Sequence, residues 1–174
     1  QVDSPCATVV VPARGALEAA AAAAAIATAA VASLSGGGIF GVELFAMRDG
    51  VVLLNEIAPR PHNSGHYTMD ACATEQHEQH LRAVLGLPLG SPGLKVAAAA
   101  MLNVIGAPDG ELSTTLRPIA RALPLPRAAV HWYGKAPPKA RRKMGHINVS
   151  GPSVAAVTAA IEALQKEEEA AAPV

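Results

Sequence analysis

Residues 41–58 read GVELFAMRDGVVLLNEIA, and this stretch decides how the first half of the chain folds. Asp49-Gly50 between two apolar runs is a strong signal for a two-residue β-hairpin turn, because a type I′ turn needs positive φ at both central positions. With that turn, Glu43 lies directly opposite Glu56. Two carboxylates about 5 Å apart repel each other by roughly 3 kcal/mol at an effective dielectric of about 20. The pattern therefore predicts a cation between the two acids.

The rest of this hairpin face is predicted to be apolar. In the same register Phe45 pairs with Leu54, and strand alternation places both on the side of the acids. The arrangement suits a nucleotide with bound Mg²⁺, since Mg²⁺ is typically held by one or two carboxylates together with substrate phosphates. The alternative is a three-residue loop with a bulge, which would put the acids on opposite faces as solvated edge charges.

A polar loop follows the second predicted strand, where residues 55–66 read NEIAPRPHNSGH. Pro59 and Pro61 fix φ and bias their predecessors to extended geometry, so Arg60 lies in a stiffened segment. Arg, His, Asn and Ser side chains on such a loop, beside a metal-binding strand, predict an anion site. The alternative is a solvated loop whose histidines are incidental.

The run GVELFAMRDGVVLLNEIAPRPHNSGHYTMDACATEQHEQHLRAVLGLPLG, residues 41–90, resembles the carboxy-terminal half of 5-(carboxyamino)imidazole ribonucleotide synthase. This is an ATP-grasp enzyme of purine biosynthesis that forms part of phosphoribosylaminoimidazole carboxylase in eukaryotic fused versions. NEIAPRPHNSGHYT is the most specific part of the resemblance, which continues through residues 100–103, 131–135 and 142–146.

The resemblance implies an ATP-dependent activation of bicarbonate to carboxyphosphate, which then carboxylates aminoimidazole ribonucleotide. It also implies the residue roles. Mg²⁺ is held by Glu43 and Glu56, and the nucleotide and metal are supported by Asn55 and Glu56. Bicarbonate and carboxyphosphate are held by Arg60, His62 and Asn63. The base is contacted by Phe45 and Leu54, and the ribonucleotide phosphate is bound by Lys135 and Arg142. Because the basic segment is one residue longer than in the family, Arg141 is an alternative to Arg142. Two other functions stay open: another ATP-grasp carboxylate ligase, and a non-catalytic nucleotide-binding remnant.

The predicted fold class is α+β. Residues 1–93 are expected to form the latter part of an ATP-grasp domain with an antiparallel sheet, residues 94–166 a small β-rich carboxy-terminal domain, and residues 167–174 a disordered tail or linker. The chain starts without Met directly before a predicted strand, so we expect a fragment. The resemblance implies that the family's amino-terminal domain and the first part of its nucleotide clamp are missing, so we expect this piece to be inactive alone. The family resemblance further suggests a homodimer when complete and a possible fusion to a carboxyaminoimidazole ribonucleotide mutase domain.

Composition argues against a nucleic-acid-binding or membrane-spanning protein and bears on the compartment. The 174 residues carry a net charge of zero, so there is no electrostatic footprint for nucleic acid. The apolar run at residues 19–32 is shorter than the ~20 residues needed to span a bilayer, so no membrane partner is expected. Cys6 and Cys72 form no paired motif, which fits a reducing compartment. We expect the cytoplasm, or an organelle stroma if a transit peptide precedes the chain.

Periodicity and breaker residues predict the elements. Strands are expected over residues 7–11, 39–47, 51–57, 94–104, 130–133 and 145–149, and helices over 16–34, 69–85, 113–122 and 152–164. Ser35-Gly36-Gly37-Gly38 precedes a strand, so it is predicted to be a helix stop and not a phosphate-binding loop. His77-Glu78-Gln79-His80 lacks the H-E-x-x-H spacing and is not predicted to bind metal.

Overall fold

A computed structural model describes residues 7–13 and 17–166 of the chain. The described residues form two compact units, one within residues 11–96 and one that joins residues 7–10 with residues 97–166. The first strand thus groups with the carboxy-terminal unit, whereas the sequence analysis placed it with residues 1–93. The predicted tail, residues 167–174, lies outside the described residues. Within the described ranges, no helix combines the length and apolar character needed to cross a membrane.

The unit of residues 11–96 combines helices with a two-stranded antiparallel hairpin. Its elements are α1 (Leu17–Ala32), β2 (Gly41–Ala46), β3 (Val52–Ala58), a 3₁₀ turn (Asn63–Gly65), α2 (Thr68–Ala71) and α3 (Gln76–Val84). Helix α1 is built mainly of alanine, the strongest helix former, and packs against both hairpin strands. After α1, Gly36 and Gly38 adopt positive φ, which confirms the predicted helix stop.

The hairpin loop has three residues, 48–50, where a two-residue loop was predicted. The backbone N–H of Met47 donates to the carbonyl of Val51 at 2.8 Å, and Gly50 supplies the positive φ, +85°, that closes the loop. This shift makes the predicted Phe45–Leu54 pair wrong: Phe45 pairs with Leu53.

A β-bulge restores the predicted pairing of the two acids. The register shifts between Glu43 and Leu44, so that Leu44 pairs with Leu54 while Glu43 pairs with Glu56, and Asn55 is the additional residue on β3. A bulge of this kind inserts one residue and re-aims the side chains beside it. Without it, the three-residue loop would have paired Glu43 with Asn55 and turned Glu56 to the other face.

The single helix predicted over residues 69–85 is wrong, because the chain is extended between α2 and α3. Cys72 has φ −108° and ψ 157° and forms an isolated antiparallel bridge with Leu94. Helix α3 then starts anew at Glu75, whose carboxylate accepts from the backbone N–H groups of His77 and Glu78. A bridge partner 22 positions further along the chain and a new helix cap together override the helical pattern.

The carboxy-terminal unit contains a four-stranded sheet in the order β1-β4-β6-β5. Its strands are β1 (Thr8–Val11), β4 (Ala98–Ile105), β5 (Ala128–Trp132) and β6 (Lys143–Gly151), and its helices are α4 (Leu112–Thr115), α5 (Arg117–Ala122) and α6 (Val154–Gln165). The helix predicted over 113–122 is divided because Pro118 has no N–H to continue the hydrogen bonds of α4.

One face of this sheet carries the hydrophobic core. Its buried members are Ala98, Ala100, Leu102 and Val104 on β4, Ala122 on α5, Ile147 and Val149 on β6, and Val157, Ile161 and Leu164 on α6. These residues alternate along each strand and recur at helical spacing along α6, which is the pattern of a sheet covered by a helix. The predicted α+β class, with a small β-rich carboxy-terminal domain, is confirmed.

Candidate functional site: an acid pair on the hairpin

Three potential metal ligands converge on one face of the hairpin. Glu43, Glu56 and His62 each offer one ligand atom, and these atoms all lie within 4.8 Å of one another. Glu43 is partly buried and Glu56 is exposed. The convergence of the two acids, predicted from the sequence, is therefore present in the structure.

The Glu43 carboxylate is held from two sides. The side-chain amide of Asn55 donates to Oε2 of Glu43 at 3.2 Å, and Nε2 of His62 lies 3.4 Å from Oε1. Asn55 is the additional residue of the bulge, so the irregularity that aligns the acids also supplies the hydrogen bond that orients one of them.

His62 reaches the acids because Gly41 has no side chain. A Cβ at position 41 would lie 2.5 Å from Cβ and 2.6 Å from Cγ of His62. The imidazole therefore packs directly on the backbone of β2. Its Nδ1 lies 2.8 Å from Oγ of Ser64, which fixes the ring from the side away from Glu43.

A cavity of about 250 Å³ adjoins His62 and is lined by Ile39, Phe40, Gly41, Tyr67, Thr68 and Gln76, among others. Burial raises the pKa of the Tyr67 phenol, and the nearby Cys72 thiol raises it further. Burial also raises the pKa of Cys72, with a smaller opposing effect from Lys95. Both groups are therefore uncharged at neutral pH, and the cavity wall at Tyr67 offers a polar contact without a charge.

The other residues predicted for this site lie around the acid pair without closing on it. Arg60 is exposed just after β3 and donates to the carbonyl of Pro61 at 3.1 Å. Asn63 begins the 3₁₀ turn that carries Ser64. Phe45 and Leu54 are about half exposed, and strand alternation places them on opposite hairpin faces, since Leu54 pairs with Leu44.

The two residues predicted to bind the ribonucleotide phosphate belong to the carboxy-terminal unit. Lys135 donates to the carbonyl of Lys143 at 2.8 Å, and its ammonium lies 4.9 Å from the centroid of the Tyr133 ring. Arg142 is exposed, and its carbonyl accepts from Gly106 N–H at 2.8 Å. Backbone contacts with Gly106 thus anchor the basic turn.

Sequence reasoning missed three residues that shape the site: Gly41, Ser64 and Gln76. Ser64 was visible in the polar loop, but nothing in its spacing indicated that its hydroxyl contacts the His62 ring. Gly41 could have been found as the small residue two positions before Glu43. Gln76 gave no local signal, because its contact with His62 joins residues 14 positions apart.

The two histidines of α3, His77 and His80, make contacts that position their rings within the fold. Nδ1 of His77 lies 2.7 Å from the Glu75 carboxylate. Nδ1 of His80 accepts from the backbone N–H of Ile39 at 3.2 Å, and its ring lies close to Gly38, 3.2 Å from where a Cβ at that position would stand.

Comparisons with known proteins place this geometry in a family. The ATP-grasp domain model matches residues 1–77, and the model of the phosphoribosylaminoimidazole carboxylase C-terminal domain matches residues 99–160. Carboxyaminoimidazole ribonucleotide synthase from Aspergillus clavatus, crystallised with ATP, is 41% identical, with a TM-score of 0.87 over 94% of this chain. The chain belongs to the carboxyaminoimidazole ribonucleotide synthase family. The resemblance first seen in residues 41–90 is thereby confirmed.

Other members of the family are similarly close. Phosphoribosylaminoimidazole carboxylase of Schizosaccharomyces pombe is 43% identical over 88% of this chain, and N5-carboxyaminoimidazole ribonucleotide synthase of Mycobacterium leprae is 45% identical over 87%. The chain spans 28% and 35% of these two proteins, and 43% of the A. clavatus chain. The chain thus represents less than half of each of these proteins, and the activity of a whole synthase does not follow from the similarity alone.

Proposed function

We propose that this chain contributes the metal-holding and bicarbonate-binding residues to an ATP-dependent carboxylation of 5-aminoimidazole ribonucleotide in purine biosynthesis. The observation that carries the proposal is the convergence of Glu43, Glu56 and His62 on one hairpin face. A second line of support is the A. clavatus synthase, crystallised in complex with ADP and 5-aminoimidazole ribonucleotide, whose fold this chain shares over 94% of its length.

The donor set fits Mg²⁺. This ion prefers oxygen ligands at about 2.1 Å, so two opposite ligands stand about 4.2 Å apart, and it is usually held by one or two carboxylates plus substrate phosphates. The ligand atoms of Glu43 and Glu56 lie within 4.8 Å, so a small rotation of the exposed Glu56 brings both into range. When bound, the ion neutralises negative charge on the nucleotide phosphates during phosphoryl transfer.

The loop after β3 binds and orients the anion. The Arg60 guanidinium can donate two parallel hydrogen bonds to the oxygens of a planar oxyanion. The side chain is exposed and therefore accessible to such an anion. His62, fixed over Gly41, and Asn63 beside it complete the proposed bicarbonate and carboxyphosphate contacts. Positioning and electrostatic stabilisation then account for most of the rate enhancement, as expected for phosphoryl transfer.

The remaining contacts are assigned by the same proposal. Asn55 holds Glu43 in orientation beside the nucleotide and metal. Phe45 contacts the base, whereas Leu54 faces the other side of the hairpin. In the carboxy-terminal unit, Lys135 supplies a point charge and Arg142 a bidentate contact to the ribonucleotide phosphate, with Arg141 as the alternative.

The proposal extends to partners and compartment. Relatives in plants and fungi are called phosphoribosylaminoimidazole carboxylase, and the plant one, from Vigna aconitifolia, is described as chloroplastic. These names support an enzyme fused to a mutase domain, acting in the cytoplasm or, if a transit peptide precedes the chain, in an organelle stroma. We propose a homodimeric assembly on the family resemblance alone.

The test is a hybrid enzyme in which this chain replaces the matching segment of the A. clavatus synthase. We expect ADP release that requires both bicarbonate and 5-aminoimidazole ribonucleotide. Glu56→Gln in the hybrid should lower that rate by about 100-fold or more, the size of loss seen when a group that stabilises transition-state charge is removed. Glu162→Gln, an exposed acid on α6, is the control and should leave the rate unchanged. An active hybrid insensitive to Glu56→Gln would refute the metal assignment.

A further inference from the structure

One buried glutamine joins the two ends of the loop that carries His62. Gln76, the first residue of α3, is only 6% exposed. Its Oε1 accepts from the backbone N–H of His62 at 2.9 Å, and its Nε2 lies 2.9 Å from Nδ1 of His66. A single amide therefore contacts both the start and the end of the 62–66 loop.

The packing around Gln76 leaves its side chain little freedom. Gly65 lies against the Gln76 amide, and any Cβ at position 65 would collide with Oε1. Oγ1 of Thr68 accepts from the backbone N–H of Gln76 at 3.1 Å and donates to the carbonyl of Gly65 at 2.6 Å. The amide is thus seated against a glycine and backed by a threonine that connects helix and loop.

The hydrogen-bonding chemistry of this network fixes the tautomer of His66. A backbone N–H can only donate, so the Gln76 atom that meets His62 must be the carbonyl oxygen. The amide nitrogen, which can only donate, then faces Nδ1 of His66. That ring nitrogen must accept, and so the proton of the neutral imidazole lies on Nε2.

We propose that Gln76 is a positioning residue of the acid-pair site, which anchors the backbone of His62 and holds His66 as the Nε2–H tautomer. His62 in turn stands 3.4 Å from Glu43, so the anchor acts on the position of an imidazole beside the acids. That this loop binds bicarbonate rests on the function proposed above. The anchor itself can be measured on the isolated chain without any catalytic activity.

The experiment records ¹⁵N spectra of the histidine rings at about pH 8, above the ordinary histidine pKa of about 6.5, and amide hydrogen exchange at His62. In the wild-type chain we expect Nδ1 of His66 to be unprotonated. His77 is an internal reference of the opposite kind, because its Nδ1 faces the Glu75 carboxylate and must carry a proton.

Two substitutions separate the two contacts. Gln76→Glu keeps an oxygen for the His62 N–H but places a second acceptor against His66, so Nδ1 of His66 should become protonated while the His62 amide stays protected. Gln76→Met removes both contacts, so the His62 amide should exchange about 5-fold faster or more, as expected when one hydrogen bond is lost, and the two His66 tautomers should mix.

Gln79→Met is the matched control. Gln79 lies on the same helix, and its amide makes an equivalent pair of hydrogen bonds, with the backbone of Gly90 at 2.6 and 2.9 Å. This variant should change neither the His66 tautomer nor His62 exchange. The proposal is overturned if Nδ1 of His66 is protonated in the wild-type chain, a result that needs no variant to fold. It is equally overturned if Gln76→Met leaves His62 exchange unchanged.

Discussion

At the scale of single residues, Gly41 determines where the His62 imidazole can lie. Because Gly41 has no side chain, the imidazole can pack directly on the backbone there. In this position the ring contacts Glu43 and Ser64. The glycine is required for close approach and not for backbone conformation, since its φ is not positive. A substitution here therefore tests packing at the site directly.

Gly41→Ala should destabilise the chain by about 1–3 kcal/mol, the usual cost of forcing extra volume into a packed contact. The new methyl group would overlap His62 unless the loop moves. The free energy of unfolding is measured by urea denaturation of the wild-type chain and of each variant. Gly37→Ala is the control, because its Cβ would meet only the carbonyl of Ala83, at an ordinary 3.6 Å. Equal midpoints for the two variants would show that His62 does not pack on β2.

The pairing of the two acids could be predicted from the sequence, but the loop and bulge that produce it could not. The Asp-Gly signal predicted a hairpin with Glu43 opposite Glu56, and this pairing is confirmed. The loop length behind the prediction was wrong by one residue, and the bulge at Asn55 compensated for the error. The length of the loop and the position of the bulge cannot be read from one strand alone. Both depend on which cross-strand pairs form along the whole hairpin.

At the scale of elements, helix α3 depends on the carboxylate of Glu75. Burial raises the pKa of this group, but hydrogen bonds from the His77 and Glu78 backbone and from the His77 ring lower it by more, so that the pKa lies below its ordinary value. A depressed carboxyl pKa means that the native state holds the ionised form. The stabilisation is present above the ordinary value of 4.5 and is lost as the pH falls through the lower native pKa.

Glu75→Gln should therefore cost about 1 kcal/mol at neutral pH, a typical value for a lost helix cap. The difference from wild type should shrink as the pH falls below 4.5 and through the lower native pKa, because the wild-type carboxylate then also becomes protonated. Unfolding free energies measured across this range test the point. Glu78→Gln, which removes only an exposed pair with Arg82, should show a smaller and flatter effect. A constant deficit for Glu75→Gln at all pH values would contradict the capping role.

Elements stabilised by local sequence were predicted well, and those set by distant partners were not. The alanine-rich helix and the strands of the carboxy-terminal sheet follow from composition and alternation, and they appear within a few residues of the predicted bounds. The helix predicted over 69–85 failed because Cys72 bridges to Leu94 and Glu75 starts a new helix. Gln76 was missed as a site residue for the same reason, since its partners lie 10 and 14 positions away.

At the scale of the whole molecule, the chain joins two units with different chemistry. The unit of residues 11–96 carries the acid pair and the polar loop, and the carboxy-terminal unit carries the basic turn with Lys135 and Arg142. Two family models match these regions in the same chain order. A carboxylation that uses a metal-bound nucleotide and a phosphorylated acceptor needs both kinds of site, which is why the proposed function draws on both units.

The proposed carboxylation requires that Glu43 and Glu56 bind one divalent ion together. The most direct measurement is a titration of the chain with Mn²⁺, which accepts the same oxygen ligands as Mg²⁺ and broadens nearby nuclear resonances. We predict saturable broadening centred on Glu43, Glu56 and His62, abolished by Glu43→Gln or Glu56→Gln and unchanged by Glu162→Gln. Broadening that is absent from these three residues, or that survives both single substitutions, would contradict the account.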